Sequence, residues 1–311
     1  MKILVTGGAG FIGRWIIKKL LDEKNDVWVL DNLSNGDEKN LEEFKNNPHF
    51  KRLIIGDIRN KKLLSDSWKN LFDICIHLAA QINTQNSIDN PFETFDINVT
   101  GTFNILEEAR KHMTKVVLIG TCMVYDASLT PINENSPIKP ASPYAASKLS
   151  AEFLALSYYY AYNLPVVILR PFNIYGPFQK SNMEGGVISV FINKKLEKKP
   201  LLVFGDGNQT RDFLYIEDCA DFIVKSTFSD KIIGEILNAG LGTDISINDL
   251  AMLIAKDIKK IKHVKHPHPQ SEIFKLICDY SKARKLLNWE PKIPLERGIK
   301  LLEKWLSNKN K

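Results

Sequence analysis

Residues 3–31 constrain the fold more than any other stretch of this 311-residue chain. An apolar run, Ile3-Leu4-Val5, leads directly into Thr6-Gly7-Gly8-Ala9-Gly10-Phe11-Ile12-Gly13, followed by helically spaced apolar residues and then Val27-Trp28-Val29-Leu30-Asp31. The order is strand, glycine turn, helix, strand, with a carboxylate at the end of the second strand. Glycine triplets alone are common in loops; between two strands in this order they have a physical purpose. Gly7 permits a tight turn, Gly10 lets backbone approach a pyrophosphate at the helix N-terminus, and Gly13 lets helix and strand pack closely. Phe11 and Ile12 open the helix beside that anion site. Asp31 is placed to accept the ribose hydroxyls of NAD and to repel a 2′-phosphate. No Arg follows it directly, and the polar loop from Asn32 to Gly36 leaves NADP as the second cofactor to consider.

Further β-rich apolar runs recur at 52–55, 74–78, 116–119 and 166–169, separated by helical stretches. This alternation predicts an α/β fold of the Rossmann type: a doubly wound parallel sheet that binds ligands beyond the carboxyl ends of its strands. The positions just after each run become site candidates: Gly7, Asp31, Asp57, Ala79, Ala80, Thr121 and 170–173. Beyond Pro171 the pattern loosens, with turns at Gly185-Gly186 and Gly205-Asp206-Gly207 and a cluster of His263, His266, Pro267, His268 and Pro269. This reads as a smaller α/β substrate lobe. A strand-like segment at 235–238 is expected to return to the main sheet. The expected division is 1–172 plus roughly 210–243 for the dinucleotide domain, and 173–209 with 244–311 for the second lobe.

The 42 basic residues exceed the 36 acidic ones by six, but they are scattered without aromatic interleaving. That describes a solvated surface with mild attraction for anionic ligands, and argues against a nucleic-acid face. Cys75, Cys122, Cys219 and Cys278 have neither metal-ligand spacing nor the ladder of a disulfide scaffold, which suits a reducing cytosol. The sequence enters a strand within two residues, leaving no room for a signal peptide, and no run approaches about 18 apolar residues. The expectation is a soluble cytoplasmic protein with no metal and neither nucleic acid nor membrane as partner.

The chemistry concentrates at Ser142-Pro143-Tyr144-Ala145-Ala146-Ser147-Lys148, which begins a helix. Four-residue spacing puts Tyr144 and Lys148 on one face. A phenol near pKa 10 is a poor base at neutral pH; an adjacent ammonium and a cationic nicotinamide stabilise its phenolate. Tyr144 can then take a hydroxyl proton while hydride leaves the same carbon. Thr121, just past a strand, is positioned to hydrogen-bond that oxygen. Tyr-x-x-x-Lys occurs on many amphipathic helices; its weight comes from combination with the glycine turn and the strand-end Thr, in that order.

With these motifs the chain resembles the extended short-chain dehydrogenase/reductase family, in its nucleotide-sugar epimerase and dehydratase branch, over essentially its whole length. Gly56-Asp57-Ile58 is similar to that family's adenine-side segment, and His77-Leu78-Ala79-Ala80 to its cofactor-lining strand end. Asn98-Val99-Thr100-Gly101-Thr102 resembles its central helix, where the Asn is structural. The stretch from Arg170 through Pro171 and Asn173 to Pro177 resembles the join between nicotinamide and substrate sites. Gly205-Asp206-Gly207 with Thr210-Arg211-Asp212-Phe213 is similar to its nucleotide-diphosphate clamp, and Asp279-Tyr280-Ser281-Lys282-Ala283 to its C-terminal signature. The resemblance implies NAD as cofactor, a UDP-sugar as substrate and a homodimer formed by helices around 95–111 and 144–162. Arg211 would grip the pyrophosphate, with Phe204 packing at the base and Asn173, Val187 and Met123 around the sugar. His266, His268 or Gln270 stand where relatives carry a phosphate-binding Arg. Plainer readings are an Arg211 surface ion pair and an Asn173 turn cap.

One departure matters. Family 4,6-dehydratases place Asp-Glu after the strand-end Thr, whereas Cys122 and Met123 stand here. Absence of the carboxylate pair favours a 4-epimerase. A thiol can nevertheless exchange a proton, and Thr121-Cys122-Met123-Val124-Tyr125 resembles a group that dehydrates UDP-N-acetylglucosamine to a 5,6-unsaturated sugar. Dehydration of UDP-N-acetylglucosamine, by 5,6- or 4,6-elimination, is the favoured expectation. UDP-glucose or UDP-N-acetylglucosamine 4-epimerisation is the alternative, and a non-catalytic dinucleotide sensor is the reading from another class. For Cys122 the plain alternative is a small buried filler.

Overall fold

The structure, a computed structural model, describes residues 1–126, 131–180, 186–266, 269 and 273–309. Its first half alternates strand and helix: β1 (Lys2–Thr6), α1 (Phe11–Asp22), β2 (Asp26–Asp31), β3 (Phe50–Ile55), α2 (Lys61–Trp68), β4 (Ile74–His77), α3 (Thr84–Asp89), α4 (Pro91–Phe95), α5 (Gly101–His112), β5 (Lys115–Ile119), α6 (Pro143–Tyr162) and β6 (Val166–Pro171). The second half is more broken: β7 (Asn173–Tyr175), α7 (Val187–Leu196), β8 (Leu201–Phe204), β9 (Thr210–Arg211), β10 (Phe213–Tyr215), α8 (Ile216–Thr227), β11 (Ile236–Ala239), β12 (Ile245–Ser246), α9 (Ile247–Ala255), β13 (Ile261–Val264), α10 (Ser281–Leu287) and α11 (Leu295–Lys309).

Seven strands form one sheet in the order β11-β6-β5-β4-β1-β2-β3, and every pairing is parallel. The central strands explain their own composition. Every residue of β5 and β6 is buried, as required of a strand covered on both faces, whereas the edge strand β3 has only exposed and half-buried positions. One core, with Ile16, Ile17 and Leu20 of α1 and Phe222 and Ile223 of α8, covers one face. A second, with Trp68, Ile105, Leu106, Ala151 and Ala155, covers the other. The return of 235–238 to the sheet is seen as β11 paired with β6, Ala239 opposite Pro171.

The second lobe has a core of its own, built from α7, α9, α11 and short strands and including Phe191, Leu250 and Leu302. Three two-stranded pairs organise it: β10 with β7, β12 with β9 and β13 with β8. Phe11, Ile12 and Trp15 of α1 pack against this core, so the helix that opens at the glycine turn touches both lobes. Helix α6 starts cleanly because Ser142 accepts the Ala145 amide and Pro143 occupies the first turn; it ends at Asn163, left-handed at φ 53°.

The glycine turn is fixed by contact. A Cβ on Gly13 would lie 2.5 Å from Gly8 Cα and 2.6 Å from Gly7 O, and backbone cannot yield as a flexible side chain does. Gly13→Ala is therefore expected to destabilise the fold by about 1–3 kcal/mol and to weaken dinucleotide binding, measured by thermal melting and by titration with NAD. Unchanged melting and affinity would contradict the packing described.

Candidate active site

At the carboxyl end of β1, Gly7 adopts φ +70° and packs so close to β4 that a Cβ would come 2.8 Å from Ala79 N. Gly10 caps α1 in extended conformation with no side chain between the helix amides and solvent. Asp31 closes this corner: Oδ2 accepts the Ala9 amide at 2.9 Å and Oδ1 the Leu33 amide at 2.8 Å. Burial raises its carboxyl above the ordinary value, opposed by those two amides and by the Lys180 ammonium. These features fit a dinucleotide: a close backbone turn, an open helix N-terminus and a carboxylate held at the strand end.

Asn32 and Asp57 meet here, Asn32 Nδ2 donating to Asp57 Oδ2 at 3.3 Å. Asp57 is chiefly engaged by Arg59, whose Nε and Nη2 reach its two oxygens at 3.0 and 2.8 Å and hold the carboxyl down at about 2. Ile58 is buried against Gly101, while Leu78, Ala79 and Ala80 stay half-buried beyond β4. Pro171 is buried in β6.

Thr121 follows the end of β5, its hydroxyl oxygen accepting the Met123 amide at 3.2 Å. Burial pushes the Tyr144 phenol up to about 12, an effect that the nearby Thr121 hydroxyl opposes. One turn further along α6, Lys148 is buried and its ammonium brought down to about 8, with Glu152 holding it up. The structure thus brings Thr121 beside Tyr144, with Lys148 one turn along the same helix. Beneath it runs a buried polar chain: Thr6 to His77 at 2.6 Å, His77 to Thr102 at 3.0 Å, Thr102 to Asn98 O at 2.6 Å. Asn98 lies in a π-helical turn, 96–100, whose extra width turns its amide to Ser147 Oγ at 2.9 Å and to Gln81. Ser147 in turn donates to Tyr144 O at 2.8 Å, and burial holds His77 neutral, down at about 3.

Cys122 is 3% exposed in a small apolar cluster with Phe172, Ile273 and Cys278, and Met123 packs at its side. Burial pushes the thiol up to about 12; the Arg211 guanidinium opposes this and Asp212 reinforces it. The group is therefore a neutral thiol at working pH, and the ready proton exchange expected of a reference thiol is replaced by the behaviour of a weak donor. Arg211 Nη1 donates to Thr210 O at 2.8 Å and Ile273 O at 2.7 Å. Asn173 Nδ2 donates to Asp212 O at 2.9 Å, bringing β7 to the same corner. Val187 is the first residue of α7 and half-buried. Phe204 is set apart on the outer face of β8, half exposed, its ring 6.1 Å from that of His266. His268 and Gln270 lie outside the described residues.

Several residues escaped sequence reasoning. Asp212, wholly buried, accepts amides from Leu241 at 2.6 Å, Gly242 at 2.8 Å and Cys278 at 3.0 Å, tying three segments together; burial raises its carboxyl to about 6. Asn238 and Cys278 are far away in sequence and had no local signal, while Tyr125, quoted with the Thr121–Tyr125 string, had none for its buried hydroxyl. Glu152 had one: it lies four residues past Lys148, the same spacing that joins Lys148 to Tyr144. Among the described residues there is no metal-ligand cluster of His, Cys, Asp and Glu, and no helix is long and apolar enough to cross a membrane.

Comparison with known proteins bears on the whole chain. Residues 4–302 match the family model described as GDP-mannose 4,6 dehydratase. A crystal structure of Pal from Bacillus thuringiensis is 56% identical, with TM-score 0.98, covering 99% of this chain and 100% of that one. UDP-glucuronate 4-epimerase of Thermodesulfobacterium geofontis is 38% identical over 97% of this chain and 95% of its own. UDP-glucose 4-epimerase of Thermus thermophilus, solved in complex with NAD, is 29% identical with TM-score 0.90, covering 99% of each chain.

Two substitutions test the corner. Tyr144→Phe keeps the ring and removes the proton acceptor, so turnover should fall about a hundred-fold or more with NAD still bound; near-normal turnover would refute the assignment. Lys148→Met should also abolish turnover yet raise the melting temperature at pH 7. The lysine ionises at about 8 in the fold against an ordinary 10.5. Burying the charged form therefore costs stability below pH 8, and that cost fades as pH rises from about 8 to 10.5. The gain on substitution is on the order of 1–3 kcal/mol, measured by melting at pH 7 and at pH 10.

Proposed function

The chain belongs to the extended short-chain dehydrogenase/reductase family, in its NAD-dependent nucleotide-sugar epimerase and dehydratase branch, and on that footing we propose that it dehydrates UDP-N-acetylglucosamine after transient oxidation at C4. The carrying observation is the Tyr144–Lys148 face of α6, with the Thr121 hydroxyl near the phenol and a thiol, Cys122, where a carboxylate pair would stand in a 4,6-dehydratase. NAD, when bound, supplies the acceptor for the C4 hydride and later returns it. Tyr144 takes the C4 hydroxyl proton, Thr121 holds the same oxygen, and the Lys148 ammonium favours the phenolate. The C4 ketone acidifies the C5–H bond. The Cys122 thiol then gives its proton to the departing C6 hydroxyl, which leaves as water, and recovers a proton from C5. Burial keeps the proton on the thiol until it is given and makes the thiolate that remains a stronger base for the C5 proton. Arg211 offers a planar guanidinium to the substrate pyrophosphate, and Phe204 an apolar surface to the base.

A second reading, 4-epimerisation of UDP-glucose or UDP-N-acetylglucosamine, is favoured by the same burial of Cys122, which is what a packing residue would show, and by the missing carboxylates. It uses Thr121, Tyr144 and Lys148 identically and needs only rotation of the keto sugar before hydride returns. Incubation with each sugar nucleotide separates the two. A product lighter by one water is expected from UDP-N-acetylglucosamine; an isomer of unchanged mass establishes the epimerase. If dehydration occurs, Cys122→Ala should bind substrate and cofactor normally but lose at least about ten-fold in elimination. As mere filler it would cost about 1–2 kcal/mol of stability with turnover intact.

We also propose that two copies pair through α5 and α6. Leu106 faces the sheet, but Phe103 and Phe153 are exposed, together with Phe92, Phe95, Tyr160 and Tyr162. Aromatic exposure of this extent on adjacent helices fits a bundle between copies. Light scattering should give twice the chain mass, and Phe153→Asp should give a monomer; a monomeric parent would exclude the pairing.

A further inference from the structure

Behind Tyr144 and Lys148 lies a buried ion pair that the proton transfers above do not use. Glu152 is four residues past Lys148 and eight past Tyr144, on the same face of α6. It and Arg170 of β6 are each 1% exposed. Arg170 Nε and Nη2 both reach Glu152 Oε2, at 3.0 and 2.6 Å. Its Nη1 donates to the Tyr125 hydroxyl at 2.8 Å, which donates to Asn238 Oδ1 at 2.8 Å, and Glu134 accepts the Asn238 amide at 2.7 Å. The other carboxylate oxygen, Glu152 Oε1, is buried without a hydrogen-bond partner and rests against Gly120, where a Cβ would lie 2.2 Å from it. The backbone leading into Thr121 is thus kept bare for this oxygen.

Stability does not account for the arrangement. Replacing a buried ion pair by apolar residues is often neutral or stabilising, and a buried oxygen without a full partner is a cost. We propose that Glu152, fixed in place by Arg170, is a positioning residue whose negative charge sets where Lys148 and Tyr144 gain and lose their protons. This rests on the reading of those two as the acid–base pair.

The groups around this charge are Lys148 and Tyr144 on α6, Arg170 on β6, Thr121 beyond β5, Cys122 beside Tyr144, Tyr125 with Glu134 farther along the network, and His77 of β4 beside Lys148. His77 and Tyr125 stay neutral near pH 7, the first held at about 3 and the second at about 12. Glu152 itself is raised by burial, an effect that Arg170, Lys148 and the nearby Thr121 backbone amide oppose. Its charge keeps the Lys148 proton on and disfavours the Tyr144 phenolate. Removing it acts on both in one direction: Lys148 loses its proton at lower pH, and Tyr144 ionises at lower pH. The bell of activity should slide toward acid rather than shrink.

The test uses the NAD-loaded enzyme. Turnover is followed against pH, and Tyr144 ionisation separately by ultraviolet tyrosinate absorbance, with Tyr144→Phe as the reference subtracted. In Glu152→Gln both limbs of the profile and the tyrosinate midpoint should fall by about one pH unit, a ten-fold change in each equilibrium. Glu152→Asp, which keeps the charge, should leave the midpoints near wild type. Glu152→Gln combined with Arg170→Gln removes the pair without stranding a guanidinium; it should fall between wild type and the single variant, and it answers the question if the single variant does not fold. Midpoints unmoved in a variant that merely melts earlier or turns over more slowly would overturn the proposal. A wild-type enzyme lacking any tyrosinate signal dependent on Tyr144 would instead overturn the assignment of Tyr144, and this proposal with it.

Discussion

The close approach of the first glycine turn to its surroundings governs the rest of this molecule. Gly7 meets the end of β4, Gly13 meets Gly8, and Gly10 leaves the N-terminus of α1 bare. Those contacts fix α1 against the sheet at one height and leave its first amides pointing into an open corner, where partial positive charge attracts a pyrophosphate. Because α1 also packs against the second lobe through Phe11, Ile12 and Trp15, the same contact sets how the two cores meet. A single added methyl group in the turn would disturb cofactor corner and lobe arrangement together.

From that corner to α6 the connection is polar rather than apolar. The chain Thr6, His77, Thr102, Asn98, Ser147 and the Tyr144 carbonyl crosses from β1 to α6 beneath the site. Buried polar groups are tolerated only when their partners are satisfied, and these satisfy one another, helped by the π-turn that rotates Asn98 inward. A network of this kind has few alternative geometries. It holds the backbone of Tyr144 in register with the strand ends, which is a stricter demand than apolar packing alone would impose.

The floor of the site differs in kind. Cys122 and Cys278 share an apolar cluster that adjoins Arg211 and the fully buried Asp212. Thiol, guanidinium and carboxylate meet there across segments that are distant in the chain, and burial rather than any one partner dominates the protonation of Cys122 and Asp212. Chemistry at this floor is therefore controlled by how dry it is. Charge is instead concentrated on the other side of Tyr144, in the Lys148, Glu152 and Arg170 group.

The sequence by itself determined the alternation of strand and helix, the glycine turn with Asp31, and the Thr121, Tyr144, Lys148 order, because each depends on spacing within one element or on a strand end that periodicity marks. The 235–238 strand was legible for the same reason. It could also place Glu152 on the Tyr144–Lys148 face of α6, since helical spacing is a local property, but not its partner. Only the tertiary structure decided that Arg170, from strand β6, pairs with it, and that Tyr125 and Asn238, 113 residues apart, extend the network. It likewise decided that Leu106 faces the sheet while Phe103 and Phe153 do not, and that Cys122 is dry enough to remain a thiol. Burial and long-range pairing belong to the assembled chain, and no local pattern of residues encodes the dielectric that surrounds a side chain after folding.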